Sequence, residues 1–200
     1  MVLIIDNYDS FVYNIIHFLE LRESEYLVVR NDKIEVDEIE AMIDEKKINA
    51  IIISPGPMAP NDAGVSNDII KSLHKKIPIL GVCLGHECIG QVFNCKIERC
   101  KEIIHGEADD VYIIDSPIYK HLNKCFKAAR YHSLCISRDD FNHEELIIDA
   151  QLSDGTIMGV RHRIYPLFGV QYHPESILTG ENGKAILKSF IEFSKNYNGG

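Results

Sequence analysis

Nowhere does this 200-residue sequence stay apolar for long. Its longest hydrophobic runs, such as Val2-Leu3-Ile4-Ile5 and Ile51-Ile52-Ile53, extend over four or five residues. A helix that crosses a bilayer needs about 20. A basic face is missing too. Lys and Arg number 21 against 30 Asp and Glu, the formal charge is -9, and the basic residues gather no further than pairs such as Lys75-Lys76. Phosphate backbones and anionic lipid surfaces demand clustered cations, so neither nucleic acid nor membrane is an expected partner. The six cysteines (83, 88, 95, 100, 125 and 135) include no C-x-x-C pair, which removes the usual zinc spacing. The first residues lead into an apolar run and Asp6 with no basic segment. No export signal is therefore expected, and reduced, buried thiols in a cytoplasmic protein account for most of the cysteines. Repeats, linkers and low-complexity stretches are absent as well, so one domain over residues 1–200 is expected.

What is present is an alternation of elements. Val2–Ile5 is a β-branched run of the kind buried on both faces of a sheet. Phe11, Ile15, Phe18 and Leu19 follow at helical spacing, with Ser10 or Asp9 placed to cap that helix. Tyr26–Val29, Ala50–Ile53 and Ile79–Val82 read as further strands, and Asp37–Lys46 and Asn67–Lys75 as helices between them. This order predicts βαβ units: an α/β fold with an open, mostly parallel twisted sheet and helices on both faces. After about residue 100 the pattern turns to strand-like pieces at Val111–Ile114, Leu146–Ala150, Ile157–Val160 and Leu167–Tyr172. Ser153-Asp154-Gly155 marks a hairpin, so a small antiparallel element is expected in the C-terminal half. A helix from Gly183 to Phe193 closes the chain.

Gly81-Val82-Cys83-Leu84-Gly85 follows a buried strand and has the form G-x-C-x-G, the cysteine counterpart of a nucleophile elbow. Such a turn projects the side chain from the carboxyl end of a sheet, above a helix N-terminus that favours a thiolate. The Leu84 N–H is then placed to donate to an oxyanion. His17, His74, His121 and His143 lie in polar or helical surface stretches, whereas His173 is delivered at the end of a strand, with Pro174 and Glu175 behind it. A carboxylate two residues on can hold one imidazole nitrogen and leave the other for a thiol. Gly56, in the loop Ser54-Pro55-Gly56-Pro57 after the third strand, can supply a second oxyanion donor because glycine admits a close backbone approach.

Three blocks resemble the signatures of class I glutamine amidotransferases: Ile53-Ser54-Pro55-Gly56-Pro57, Gly81-Val82-Cys83-Leu84-Gly85-His86, and Gly169-Val170-Gln171-Tyr172-His173-Pro174-Glu175-Ser176. The opening Leu3-Ile4-Ile5-Asp6-Asn7-Tyr8-Asp9-Ser10-Phe11 is similar to the start of the amidotransferase subunit of anthranilate and aminodeoxychorismate synthases. So are Arg130-Tyr131-His132-Ser133-Leu134 and Ile177-Leu178-Thr179. The resemblance covers nearly the whole chain in the right order and implies a flavodoxin-like fold. It further implies that Cys83 attacks the side-chain amide of L-glutamine while His173, oriented by Glu175, relays protons. Gly56 and Leu84 match the oxyanion hole, and Ser133 and Leu134 match positions whose backbone holds the substrate's α-amino and carboxylate groups. Ammonia then passes to a chorismate-binding synthase subunit, in a heterodimer or heterotetramer, and no metal or organic cofactor is implied.

Three departures from that pattern stand out. Glu87 replaces the usual Gln after Gly-His, close to where the family binds glutamine. Met58 follows Pro-Gly-Pro where Gly is common, and Glu107 stands where a Lys commonly follows the His-Gly near position 105. Glu87 favours a second reading, an impaired subunit that only binds and stabilises its partner; the intact Cys83, His173 and Glu175 oppose it.

Overall fold

The computed structural model describes residues 1–100 and 106–197. Its first half alternates β1 (Val2–Asp6), α1 (Val12–Leu19), β2 (Tyr26–Arg30), α2 (Val36–Asp44), β3 (Ala50–Ile53), α3 (Ser66–Leu73), β4 (Ile79–Val82) and α4 (Leu84–Val92). The second half runs β5 (Ile97–Arg99), β6 (Glu107–Ile113), β7 (Cys125–Arg130), β8 (Leu134–Ile136), β9 (Leu146–Gln151), β10 (Ile157–His162), β11 (Leu167–Val170) and α5 (Gly180–Asn196).

Nine of these strands form one sheet in the order β2-β1-β3-β4-β11-β10-β9-β6-β7. From β2 to β11 the pairing is parallel; from β10 to β7 it is antiparallel. The expected α/β architecture is borne out, and the antiparallel strands continue the parallel sheet. β5 and β8 pair separately. One isolated bridge joins Ala129 of β7 to His173, beyond the end of β11.

Alternation along β1 explains the two helical layers. Val2 and Ile4 point into one core with Ile15 of α1 and Phe190 of α5. Leu3 and Ile5 point into the other, with Ile39 of α2, Ile69 of α3 and Ile89 of α4. Successive strand residues face opposite sides, so a continuous apolar run needs cover on both.

Three expectations change, at the α1 cap, the later strands and His74. No side chain caps α1; Asp9 accepts instead from the Phe11 N–H at 2.6 Å, before the helix begins. β6 starts four residues earlier than expected, and β5, β7 and β8 were not foreseen. His74 is buried rather than on the surface, because its Nδ1 meets the Ile70 carbonyl at 2.8 Å and its ring packs on Phe93 and Tyr165. Cys125 is exposed, while the other five cysteines are buried. The hairpin at Ser153-Asp154-Gly155 joins β9 to β10, with Gly155 at φ +87°.

Candidate active site

β3, β4 and β11 are adjacent parallel strands, so their carboxyl ends deliver three loops to one crevice, where open α/β sheets bind ligands. The loop after β3 is pinned from beneath. Asn7 donates through its backbone to Ser54 Oγ and through its side chain to the Ser54 carbonyl, both at 2.9 Å, and Asn31 and Ser66 donate to Asn7 Oδ1.

Cys83 ends β4 and starts α4 with φ 51° and ψ -100°, a strained conformation for a residue with a side chain. Neighbours hold it there. Its N–H donates to the Val170 carbonyl at 2.8 Å, and its carbonyl accepts from the Glu87 N–H at 3.0 Å. The flanking glycine is obligatory: a Cβ on Gly81 would lie 2.4 Å from the Gly85 backbone. Gly56 is equally constrained, since a Cβ there would stand 2.7 Å from Leu84 Cδ2. That closeness brings the two expected oxyanion residues side by side.

His173 follows β11. Its N–H donates to the Ala129 carbonyl, and Thr179 bridges the same two residues by accepting from the Ala129 N–H and donating to the His173 carbonyl. Nδ1 of His173 meets Glu175 Oε1 at 2.6 Å, with both side chains buried. The carboxylate fixes the proton on Nδ1 and leaves Nε2 as the working nitrogen. That nitrogen is buried, makes no well-formed hydrogen bond among the described residues, and has the Cys83 thiol as its polar neighbour. Burial opposes charge on His173, but the Glu175 carboxylate and the contacts with Cys83 and Glu175 outweigh it and hold the imidazole well above its usual pKa. Burial pushes the Cys83 thiol up, and the hydrogen bond and charge of His173 offset only part of that rise.

Cys83 and His173 line a cavity of about 330 Å³, with Gly56, residues 8–11 of the β1–α1 loop, and Tyr131. The Tyr131 ring stands edge-on to His173 at 5.0 Å. Of the expected substrate residues only Gly56 reaches this cavity. Leu84 and Glu87 are buried behind Cys83, Ser133 is exposed, and Leu134 borders a different cavity beside Pro60 and Ile97. Met58 is exposed, as is Glu107 at the start of β6; His105 lies outside the described residues.

Three participants were not singled out from the sequence. Gln171 donates to Glu87 Oε1 at 3.0 Å and stands 3.8 Å from Cys83 Sγ, linking the departure at position 87 to the nucleophile. Burial pushes Glu87 up to about 7, against the pull of Gln171 and His173. Asp9 also has a raised pKa, from burial and from Glu175 nearby. Tyr131 is the third. All three sit inside quoted sequence blocks, but only the folded arrangement shows what they touch. Among the described residues, no cluster of three or more His, Cys, Asp or Glu could hold a metal ion, and no helix is long and apolar enough to cross a membrane.

The chain is similar to known proteins over nearly its whole length. The family model described as glutamine amidotransferase class-I matches residues 3–193. Anthranilate synthase component 2 of Cyanophora paradoxa is 48% identical over 192 residues, covering 96% of this chain and 98% of that protein. Aminodeoxychorismate/anthranilate synthase component 2 of Bacillus subtilis is 43% identical, with 96% of each chain covered. In fold, the chain is similar to a putative GMP synthase subunit from Thermoplasma acidophilum, with TM-score 0.83 at 20% identity over 98% of this chain and 94% of that one.

Proposed function

The chain belongs to the glutamine amidotransferase class-I family, and from that premise we propose that Cys83, His173 and Glu175 hydrolyse L-glutamine and supply ammonia to a separate chorismate-aminating subunit. The observation that carries this reading is the buried 2.6 Å pair of His173 Nδ1 and Glu175, whose other imidazole nitrogen is left for Cys83 on a shared cavity. Cys83 Sγ attacks the side-chain amide carbon as a thiolate, its proton held on His173 Nε2. The developing oxyanion is met by the N–H groups of Gly56 and Leu84, each donor of this kind being worth about 10²–10³ in rate. His173 then protonates the leaving nitrogen and ammonia departs. Water attacks the γ-glutamyl thioester, His173 receives its proton, and glutamate is released with the thiol restored.

Cys83→Ala tests the assignment in the complex. Glutamine-dependent amination falls by several orders of magnitude while amination from added ammonia persists, because the nucleophile serves only the amide-hydrolysing half. Comparable glutamine use by the variant would sink it.

The partner assignment rests on the relatives' names and on the rim of the cavity. Tyr8, Phe11, Met58, Ile177 and Leu178 are exposed on the loops that carry the site, and apolar surface of that kind marks a place where another protein sits. Covering the mouth keeps ammonia from bulk water, and the synthase subunit sets whether anthranilate or aminodeoxychorismate is made. The whole chain acts as one amidotransferase domain in the cytoplasm. Glutaminase turnover is expected to rise at least about tenfold when the synthase subunit is added, through completion of the site. Equal turnover with and without it counts against docking at this rim.

A further inference from the structure

Cys100 and Cys135 take no part in the chemistry above, yet they form a cluster with its own geometry. β5 and β8 pair with Glu98 opposite Cys135, and the Cys100 N–H donates to the Ser133 carbonyl at 2.9 Å, extending the ladder by a rung. Cys100 lies two residues beyond Glu98, so it shares Cys135's face of the ribbon as a diagonal neighbour. The two thiols are close enough for each to shift the other's pKa. Beside them His132 accepts from Arg130 Nε at 3.1 Å through Nε2, which puts its proton on Nδ1. That Nδ1 stands 2.8 Å from the Leu134 carbonyl and 3.3 Å from the Cys100 sulfur. Cys135 also borders a cavity of about 170 Å³ beside the exposed Arg138.

We propose that Cys100 and Cys135 are a redox-active dithiol, which a small disulfide of the glutathione type oxidises to an intramolecular disulfide. Cys135, reached through the cavity, loses its proton to solvent, and its thiolate attacks one sulfur of the small disulfide. One small thiolate leaves and a mixed disulfide forms. Cys100 then gives up its proton to that departing thiolate and attacks the Cys135 sulfur, expelling the second small thiolate. Two protein thiols are oxidised and one small disulfide is reduced to two thiols.

The pairing eases the first deprotonation: the neighbouring Cys100 thiol lowers the pKa of Cys135 despite burial. Cys100 is raised, by that same closeness and by burial, as befits a resolving thiol. Cys88 and Cys95, by contrast, are pushed up chiefly by burial. Diagonal neighbours on antiparallel strands stand roughly 7–8 Å apart at Cα. That slightly exceeds the usual span of a disulfide, so closure draws β5 and β8 together. A strained disulfide is readily reduced, which makes this pair reversible rather than structural.

The test uses the full chain carrying Cys83→Ser, so that the nucleophile takes no part. It is equilibrated in glutathione mixtures of rising oxidised fraction, quenched in acid, alkylated and mapped by mass spectrometry. Free Cys100 and Cys135 are expected to disappear together into one cross-linked peptide, while Cys88 and Cys95 keep their thiols. With Cys100→Ser added, Cys135 is expected to accumulate as the glutathione mixed disulfide. The proposal is overturned if both thiols persist once the exposed Cys125 is fully glutathionylated, or if each ends as a separate glutathione adduct. Its assignment of roles is overturned if Cys100→Ser leaves Cys135 unmodified.

Discussion

The parallel and antiparallel halves of the sheet both bury polar atoms, but under different terms. At the carboxyl end of β11, in the parallel half, His173 Nε2, Glu175 Oε2 and Gln171 Oε1 are buried without a well-formed hydrogen bond among the described residues, yet each belongs to a side chain anchored through its other polar atom. In the antiparallel half, Asp149 of β9 is fully buried with neither oxygen in a well-formed hydrogen bond, its polar neighbours being Ser116 and Arg161. Burial pushes Asp149 up to about 7. A half-anchored group keeps one atom free for chemistry; a buried carboxyl without a well-formed hydrogen bond keeps its proton instead. Buried polarity is thus reactive in one half and silent in the other.

Beyond the loss of glutamine use expected of Cys83→Ala, the largest effect should come from Gly81→Ala. Its Cβ would collide with the Gly85 backbone, which cannot yield as a flexible side chain would. A loss of about 3 kcal/mol in stability is expected, together with glutaminase turnover, read by denaturant unfolding and by activity. A stable, active variant would show that the elbow tolerates a side chain.

Asp149→Asn probes the silent half. Between pH 3.8 and about 7 the unfolded chain releases this proton while the folded chain holds it, so stability from this group is lost as pH rises through that window. Removing the carboxyl should therefore stabilise the protein above pH 7, by about 2 kcal/mol after allowing for the amide's own unmet hydrogen bonds, and not below the window. Melting temperatures of both forms against pH decide it; parallel curves would mean that Asp149 is paired after all.

Glu87→Gln has the smallest expected effect and sits on the boundary between the two behaviours. At pH 8 its carboxylate is ionised and disfavours the Cys83 thiolate through like charge. The variant should raise kcat/KM for glutamine about tenfold at that pH, equivalent to about 1.4 kcal/mol, and lower the pH at which iodoacetamide inactivates Cys83. If both profiles stay where they are, Glu87 has no hold on the nucleophile.

The same division governs what can be read from sequence. β3 and β4 are runs of buried apolar residues, and each ends in a loop with an unmistakable chemical pattern. In β6 Glu107 and Asp110 are exposed and Asp109 is half-buried against Arg130, and β7 reads Cys-Phe-Lys-Ala-Ala-Arg with its burial broken by Lys127. Neither carries the period-2 signal strongly enough to mark a strand. β5 and β8, three residues each, exist because they pair with one another. Catalytic residues were legible because their chemistry demands fixed types at fixed spacings. The neighbours that tune them were not: Gln171 reaches Glu87 across 84 positions of sequence, and no local pattern encodes that contact.

The rung between Ala129 and His173 has a consequence for the sheet as a whole. β7 comes last in the strand order, and an exposed last strand invites pairing with another chain. Here its outward-facing backbone is engaged by His173, with Thr179 sealing the junction. At Ala129 the backbone of the general base closes that edge. An intruding strand could add at this position only by displacing His173, and a molecule so paired would have lost the geometry of its imidazole. Competence to turn over glutamine and resistance to edge-to-edge association are two readings of the same few hydrogen bonds.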